Sequence, residues 1–321
     1  MMDLPLISVV IPTFQRRELV TTTVRRLLAA DTVGTTEIVA VVDGSTDGTA
    51  ASLRSLGDNR VAVVEQTNQG ISAARNNGAR VARGAILIFL DDDMRVDPGF
   101  FDAHARAMTD QVDAVMGHIA LDSSSPNTYL TKGVAEWSAE LDSKLRTVDS
   151  IVDPRLIFAG HLAVRRARFE ALGGFEHAFT RDGRYGNEDV DFAVRLLAAG
   201  AVVRYAPDAV AAQYYNVTAR QHLARTRDLG ATDRLLAERT EVGREVLRQA
   251  LADHSLYRRW ARVLLRRWPH VLAVIVWPNT LLACRGIDRG RMDDVTTNRL
   301  RRSTSVAYHR GASAAKRGGP R

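Results

Sequence analysis

Apolar residues in the first hundred positions follow two alternating rhythms. Ile7 to Ile11 is a β-rich run closed by Pro12, as expected of a strand. Leu19, Val20, Val24, Leu27 and Leu28 then recur at three- and four-residue spacing, which predicts a helix with one apolar face. A second strand is expected over Glu37 to Val42, ending at Asp43-Gly44-Ser45-Thr46-Asp47-Gly48, where Ser45 or Thr46 can cap a helix running toward Leu56. Val61 to Val64 reads as a third strand, Ile71 to Ala82 as an Ala-rich helix stopped by Gly84, and Ala85 to Leu90 as a fourth strand. This βαβαβαβ alternation predicts an α/β domain with a mostly parallel sheet and helices on both faces. Ligands on such sheets bind beyond the carboxyl ends of the strands, where Asp43 and Asp91 fall.

The fourth strand ends abruptly in Asp91-Asp92-Asp93. Carboxylates this close repel one another and raise each other's pKa unless a positive charge sits among them. A hard divalent cation, Mg²⁺ or Mn²⁺, would relieve the repulsion and leave coordination sites for phosphate oxygens. The plainer alternative is an acidic turn leading into Asp97-Pro98-Gly99. Two common phosphate cradles are excluded: the first glycine is Gly34, so no G-x-G-x-x-G follows the first strand, and no Gly-Lys pair occurs. A nucleotide here must have its phosphates neutralised by other means, and a metal on the carboxylates does that.

Beyond Leu90 the pattern predicts a strand over Val112 to Leu121, then a polar stretch, Asp122 to Asn127. This opens a region running through Trp137 to Asp153 that is read as facing an acceptor. Gly173-Gly174 makes a turn, and Glu176 to Asn187, with Arg181, Gly183, Arg184 and Gly186, has the composition of a mobile lid whose arginines could meet a diphosphate. Glu188 to Ala199 reads as a helix ended by Gly200, with Glu188 and Asp189 in its first turn. The helix dipole favours their ionised forms there, so they serve either as a cap or as a proton acceptor.

Four stretches carry a family resemblance: Ile7 to Phe14, Val41 to Thr49, Asn68 to Asn76 and Phe89 to Asp93. In that order they resemble the successive motifs of the family 2 glycosyltransferases, and the match resumes at Gly173-Gly174-Phe175 and Glu188-Asp189-Val190-Asp191. The resemblance implies a GT-A fold and transfer of a sugar, with inversion, from a nucleotide-sugar donor to a hydroxyl acceptor. It places Thr13 and Asp43 beside the donor base and ribose, with Pro12 and Asp92 also among the donor-binding residues and Arg75 lining the nucleotide pocket. It makes Asp91 and Asp93 the metal-binding D-x-D, Asp189 the general base and Glu188 its helper. Turn or cap chemistry is the alternative for Thr13, Arg75 and Asn76. The chain departs from the family in two places. Val42 precedes Asp43 where many relatives carry a second Asp, and the stretch Ala211 to Asn216 lacks the metal-coordinating His of many relatives, with none until His222. His161 is either a substrate contact or a packed, hydrogen-bonded core residue. A sugar-1-phosphate nucleotidyltransferase is excluded, since that class needs a glycine-rich loop where Pro12-Thr13-Phe14-Gln15 stands. A catalytically silent, membrane-associated subunit remains as the non-enzyme alternative, against which Asp91, Asp93 and Asp189 are all intact.

Charge adds a second theme. The 321 residues carry a formal +7, yet residues 255–321 hold 15 Arg or Lys against 3 Asp, a net +12, leaving −5 for residues 1–254. Leu256 to Arg267 interleaves Tyr257, Trp260, Val263 and Leu264 with five arginines and reads as a basic amphipathic helix suited to a headgroup interface. Val271 to Trp277 and Leu281 to Cys284 follow, interrupted by Pro278-Asn279 and too short for an ordinary membrane span of about 20 residues. These features predict peripheral attachment at the inner face of the cell membrane, suiting a lipid-linked or polymeric sugar acceptor, against the alternative of a helical hairpin packed on the catalytic domain. The acidic body and the lack of a reader motif argue against nucleic acid. One cysteine, Cys284, excludes a disulfide framework, and Met1 to Pro5 carries no leader pattern, both consistent with a cytoplasmic setting. The expected organisation is a nucleotide-sugar-binding half over 1–121, an acceptor-binding half over 122–253, an amphipathic helical region over 254–300 and a basic disordered tail over 301–321.

Overall fold

The computed structural model describes residues 7–30, 36–253, 269–290 and 292–317. They divide into two compact units: the first holds the residues to 124, 135–183 and 188–215, and the second 125–134, 184–187 and the residues from 216. The first unit is built on an eight-stranded sheet. Its strands are β1 (Ile7–Thr13), β2 (Thr36–Asp43), β3 (Val61–Gln66), β4 (Ile86–Leu90), β5 (Met94–Val96), β6 (Ala114–Leu121), β7 (His161–Arg165) and β8 (Val203–Gln213). They lie in the order β3-β2-β1-β4-β7-β6-β8-β5. β1 pairs in parallel with β2 and β4, β2 with β3, and β6 with β8; β7 runs antiparallel to β4 and β6, and β5 to β8. The first half is therefore the predicted parallel βα alternation, and the antiparallel pairs enter where β7 inserts between β4 and β6.

Every residue of β1, β2 and β4 is buried, because helices cover both faces of the sheet. Val9 and Ile11 of β1 pack with Val20, Val24 and Leu27 of α1 (Arg17–Ala30), whereas Val10 faces Ala74 and Ala79 on the opposite side. α2 (Thr49–Arg54), α3 (Ile71–Val81), α4 (Phe100–Ala107), α5 (Tyr129–Leu145), α6 (Arg166–Ala171) and α7 (Glu188–Ala198) follow in chain order, the first turns of α5 being counted with the second unit. α2 starts at Gly48 without a side-chain cap, so Ser45 and Thr46 do not cap it as expected. The polar stretch Asp122 to Asn127 holds no helix or strand, and the region it opens contains α5, for which the sequence pattern predicts no element.

The second unit contains α8 (Ala219–Arg239), α9 (Glu241–Asp253), α10 (Pro269–Asp288) and α11 (Asp294–Arg317). Thr218 and Gln221 form a reciprocal capping box at the start of α8. α11 packs on α8 through the buried Tyr308, whose hydroxyl donates to Asp233 Oδ2 at 2.5 Å, and through Arg234 Nε, which donates to the Ala312 carbonyl at 2.7 Å. The tail expected to be disordered from residue 301 is thus helical to Arg317. The amphipathic segment expected over Leu256 to Arg267 lies outside the described residues. Among the described residues no helix is long and apolar enough to cross a membrane.

His161 is fully buried at the start of β7, resolving the two readings of this residue in favour of a packed one. Its ring stacks on Phe100 and fits against Gly117, where an added Cβ would fall 2.0 Å from Cε1. The His118 carbonyl at 3.2 Å can only accept, so His161 Nδ1 carries hydrogen and Nε2 accepts from His104 Nε2–H at 2.9 Å. Burial pushes His104 well below the usual histidine range and His161 down to about 3. Each therefore stays neutral in the fold while its unfolded counterpart charges near pH 6.5. The stability tied to the neutral pair is fully present above pH 6.5 and is lost as pH falls toward the folded values. Urea unfolding between pH 7 and 5 should show stability falling by about 2 kcal/mol in total for each histidine, the slope steepening toward about 1.4 kcal/mol per pH unit at the acid end, relative to a His104→Leu/His161→Leu variant. Equal pH slopes for the two proteins would refute a buried neutral pair.

Candidate active site

Parallel pairing brings the carboxyl ends of β1, β2 and β4, and with them Thr13, Asp43 and Asp91, to one edge of the sheet. The acidic triplet is pinned there by three separate elements. Asp91 N–H donates to the Gly160 carbonyl at 3.1 Å, the Asp92 carbonyl accepts from Thr23 Oγ1 at 2.8 Å, and the Asp93 carbonyl accepts from Tyr214 N–H at 2.8 Å. Gly160 also makes room for the chemistry, since a Cβ there would lie 2.7 Å from Asp91 Oδ2.

Two arginines counter the negative charge. Arg75, on α3, has a side chain only 3 % exposed, and it donates to Asp91 Oδ1 and to Glu188 Oε1, both at 2.8 Å. Burial alone would lower its pKa, but Asp91, Glu188 and Asp189 outweigh that and raise it. Arg16 Nη1 bridges Asp92 Oδ1 at 2.8 Å and Asp93 Oδ2 at 3.0 Å. Thr13 Oγ1 donates to Asp92 Oδ2 at 2.7 Å, and Gln213 Nε2 to Asp93 Oδ1 at 3.2 Å. Even so, burial raises the pKa of Asp92, and burial followed by the neighbouring Asp91 and Asp92 charges pushes Asp93 up to about 7. On α7, burial and then the Glu188 carboxylate push Asp189 up to about 7 as well. Asp189 Oδ1 accepts from Val190 N–H at 2.8 Å.

The residues singled out from the sequence thus fall into two groups. Asp91, Asp93, Glu188 and Asp189 are joined in one charged network through Arg75 and the strand end. Thr13, Asp43, Arg75 and Asp92 are buried and hydrogen-bonded to the protein frame, with Pro12 buried in β1 beside them. Asp43 accepts from Gln66 Nε2 and Gln69 N–H at 2.8 Å through Oδ1 and from Gly70 N–H at 2.9 Å through Oδ2, which shapes the loop leading into α3. Asn76 exchanges hydrogen bonds with the Phe175 backbone, at 2.8 and 2.9 Å, and so anchors the Gly173-Gly174-Phe175 turn. The stretch Ala211 to Asn216 carries Gln213 and Tyr214 at the end of β8; His222 sits in the second unit, on α8. The expected lid over Glu176 to Asn187 contains two short 3-10 turns, His177–Phe179 and Arg181–Gly183, the first anchored by the fully buried Phe179. Arg16 and Gln213 were not foreseen: neither belongs to an apolar period or a charge run, and only the fold brings them to the triplet.

Among the described residues no three histidine, cysteine or carboxylate side chains converge as a ready-made metal cage. Magnesium and manganese sites that act on phosphates are commonly made of one or two carboxylates, with phosphate oxygens and water completing the shell. Asp91, Asp92, Asp93, Glu188 and Asp189 outnumber Arg16 and Arg75, the two arginines hydrogen-bonded among them. Carboxylates of this kind and number fit such an ion; Asp91 and Asp93 are the two it would take, although Arg75, Arg16 and Gln213 already donate to them.

A mixed α/β sheet with an acidic strand end and flanking helices is the GT-A glycosyltransferase fold. It is shared with the mannosyltransferase PcManGT from Pyrobaculum calidifontis, solved in complex with GDP-Man and Mn²⁺, at a TM-score of 0.63 and 19 % identity over 97 % of this chain and 88 % of that one. The family model for glycosyl transferase family 2 matches residues 8–172, and one for the N-terminal domain of galactosyltransferase matches residues 141–220. The chain belongs to glycosyl transferase family 2. It is 31 % identical to validoxylamine A glucosyltransferase of Streptomyces hygroscopicus subsp. jinggangensis over 226 residues, 61 % of this chain and 52 % of that protein. It is 25 % identical to the PGL/p-HBAD biosynthesis glycosyltransferase of Mycobacterium bovis over 288 residues, 88 % of this chain and 99 % of that protein. It spans about half the length of several other curated relatives.

The shared guanidinium yields a direct test of the network. Arg75→Met leaves two carboxylates without their partner and should lower stability by about 3–5 kcal/mol in denaturant unfolding. Adding Glu188→Gln should recover part of that loss, because one of the abandoned charges is gone. Strict additivity of the two substitutions would show that the pair is not coupled.

Proposed function

We propose that this protein is an inverting, divalent-cation-dependent glycosyltransferase that moves a sugar from a nucleotide-sugar donor to a hydroxyl acceptor in cell-envelope glycan synthesis. The observation that carries this reading is the Asp91–Arg75–Glu188 bridge, which ties a phosphate-side carboxylate cluster to a helix whose next residue, Asp189, is raised into the range of a general base. The names of relatives support the setting, among them glycosyltransferases of PGL/p-HBAD biosynthesis.

Asp91 and Asp93 would hold the cation, which supplies charge neutralisation for the departing nucleoside diphosphate and orients it. Thr13, Asp43 and Pro12 form the strand-end floor on which the donor nucleoside would rest, and Asp92 keeps Thr13 in place. The acceptor hydroxyl gives its proton to the Asp189 carboxylate as its oxygen bonds to the anomeric carbon. The bond from that carbon to the diphosphate oxygen breaks on the opposite face. Glu188, held by Arg75, raises the proton affinity of Asp189, which makes it a better acceptor near neutral pH. The acceptor would approach along the region from Asp122 to Asp153, where Trp137 is partly exposed and packs edge-on against Phe158. The basic 255–321 segment, together with the exposed Trp277, Leu281 and Leu282 of α10, supports peripheral attachment to the inner membrane face and a lipid-linked or polymeric acceptor.

A panel of nucleotide sugars, read by slow donor hydrolysis with Mn²⁺ or Mg²⁺, should give turnover with one donor class and none in excess chelator; full activity in chelator contradicts the cation requirement. Asp91→Asn or Asp93→Asn should lower that turnover by orders of magnitude.

Asp189→Asn should keep donor affinity and abolish transfer. In the wild type, kcat should fall as pH drops below about 7, because protonated Asp189 cannot accept, and Glu188→Gln should move that limb to lower pH with a smaller loss of rate. An unchanged limb in Glu188→Gln, or loss of donor binding in Asp189→Asn, would overturn these roles.

Full-length protein should float with anionic liposomes at low salt and detach at high salt. Indifference to anionic vesicles at low salt would remove the membrane assignment.

A further inference from the structure

The triplet already has a cation of its own, supplied by a residue that the backbone is bent to deliver. Arg16 Nη1 spans Asp92 Oδ1 and Asp93 Oδ2 at 2.8 and 3.0 Å, while Gln213 Nε2 faces the other Asp93 oxygen at 3.2 Å. Both Asp93 oxygens thus already accept from a donor, and an ion taking Asp93 would share an oxygen with one of them or displace it. Gln213 is neutral, but Arg16 is charged and repels a divalent ion placed on the same oxygen. Its side chain is 35 % exposed, so it has a free side to turn toward, unlike the sealed Arg75.

The placement of Arg16 is built rather than incidental. Gln15, just before it, adopts a left-handed backbone with φ 54°, a conformation that a non-glycine residue enters at a cost of roughly 1 kcal/mol or more. It is held there by the loop after β2: its N–H donates to Ser45 Oγ at 2.9 Å, its Nε2 to Thr46 Oγ1 at 2.9 Å, and its Oε1 accepts from Thr46 N–H at 3.2 Å. Arg17 N–H is in turn anchored on Asp47 Oδ2 at 3.1 Å, where α1 begins. The Ser45-Thr46-Asp47 loop therefore grips both neighbours of Arg16 and leaves only its side chain free to move over the carboxylates.

We propose that Arg16 competes with the divalent cation for Asp93, and that the donor diphosphate settles the competition by taking the guanidinium, so that ion and nucleotide bind cooperatively. A planar guanidinium suits paired phosphate oxygens as well as it suits paired carboxylates, so the exchange keeps Arg16 partnered throughout. Arg16 acts here as a positioning residue, and the inference rests on the cation reading above.

The test measures Mn²⁺ binding, not turnover. Free Mn²⁺ is followed by electron paramagnetic resonance at pH 8, alone and with UDP or GDP, for the wild type, Arg16→Gln and Arg16→Lys. The wild type should bind Mn²⁺ weakly alone and at least about tenfold more tightly with a nucleotide, within the usual range of coupling between sites. After correction for the Mn²⁺ that free nucleotide itself holds, Arg16→Gln should bind Mn²⁺ alone about tenfold more tightly than wild type and gain less from nucleotide than wild type does, the remaining gain coming from the phosphate ligands, and Arg16→Lys, which keeps the charge but not the fork, should fall between them. A merely structural Arg16 would leave Mn²⁺ affinity unchanged or weakened. If the wild type gains from nucleotide but neither variant binds Mn²⁺ alone more tightly, the competition is refuted and the cation reading stands. If the wild type binds no Mn²⁺ with either nucleotide, both fall.

Discussion

A buried guanidinium must be paired or the fold loses several kcal/mol, and this requirement organises the molecule around Arg75. Its two partners come from far apart in the chain, Asp91 after β4 and Glu188 at the start of α7. Holding both at hydrogen-bond distance fixes where the end of the sheet lies relative to the first turn of the helix that carries Asp189. The ground under the arginine is aromatic: its guanidinium lies 5.5 Å from the Phe175 ring, which packs with Phe89, Phe169 and Phe192. Phe192 belongs to α7 and Phe89 to β4, so the apolar contacts join the same two elements as the ion pairs.

Two acidic residues of the site also hold the protein frame together. Asp43 receives three donors from the segment leading into α3, and Asp92 receives Thr13 and Arg16. Each shapes a loop so that a neighbour is free to meet a ligand. The run from Asp43 to Asp47 thus has a double task, closing the α3 loop through its first residue and gripping Gln15 and Arg17 through the rest.

The strands of the first half were legible because β1, β2 and β4 are buried on both faces and so read as short, nearly continuous apolar runs, broken by Ser8 in β1 and bounded by Glu37 and Asp43 in β2. α1 and α3 were legible because each buries one stripe. The acidic triplet stood out for the same reason, since three carboxylates directly after a buried strand are costly without a partner. What supplied that partner was not legible: Arg16 sits in a turn, held by backbone conformation that no periodicity reports. His161 was ambiguous because burial of a histidine depends on its neighbours, here the bare backbone of Gly117 and the ring of His104. α5 was hidden by its polar, low-contrast lead-in, and α11 by a basic surface that masks the buried Tyr308 and Val306. Propensity and charge describe the exposed side of such helices, whereas packing decides whether they form.

In the proposed mechanism Asp91 and Asp93 present a cation to the donor diphosphate while Arg75 keeps Asp91 aligned with the α7 acids. The most direct measurement is anomalous diffraction at the manganese edge from crystals grown with Mn²⁺ and a nucleoside diphosphate. The account predicts one strong peak within coordination distance of an Asp91 or Asp93 oxygen, with Arg75 still bridging Asp91 and Glu188. A bound nucleotide with no peak beside the triplet, or with the metal on other residues, would contradict it.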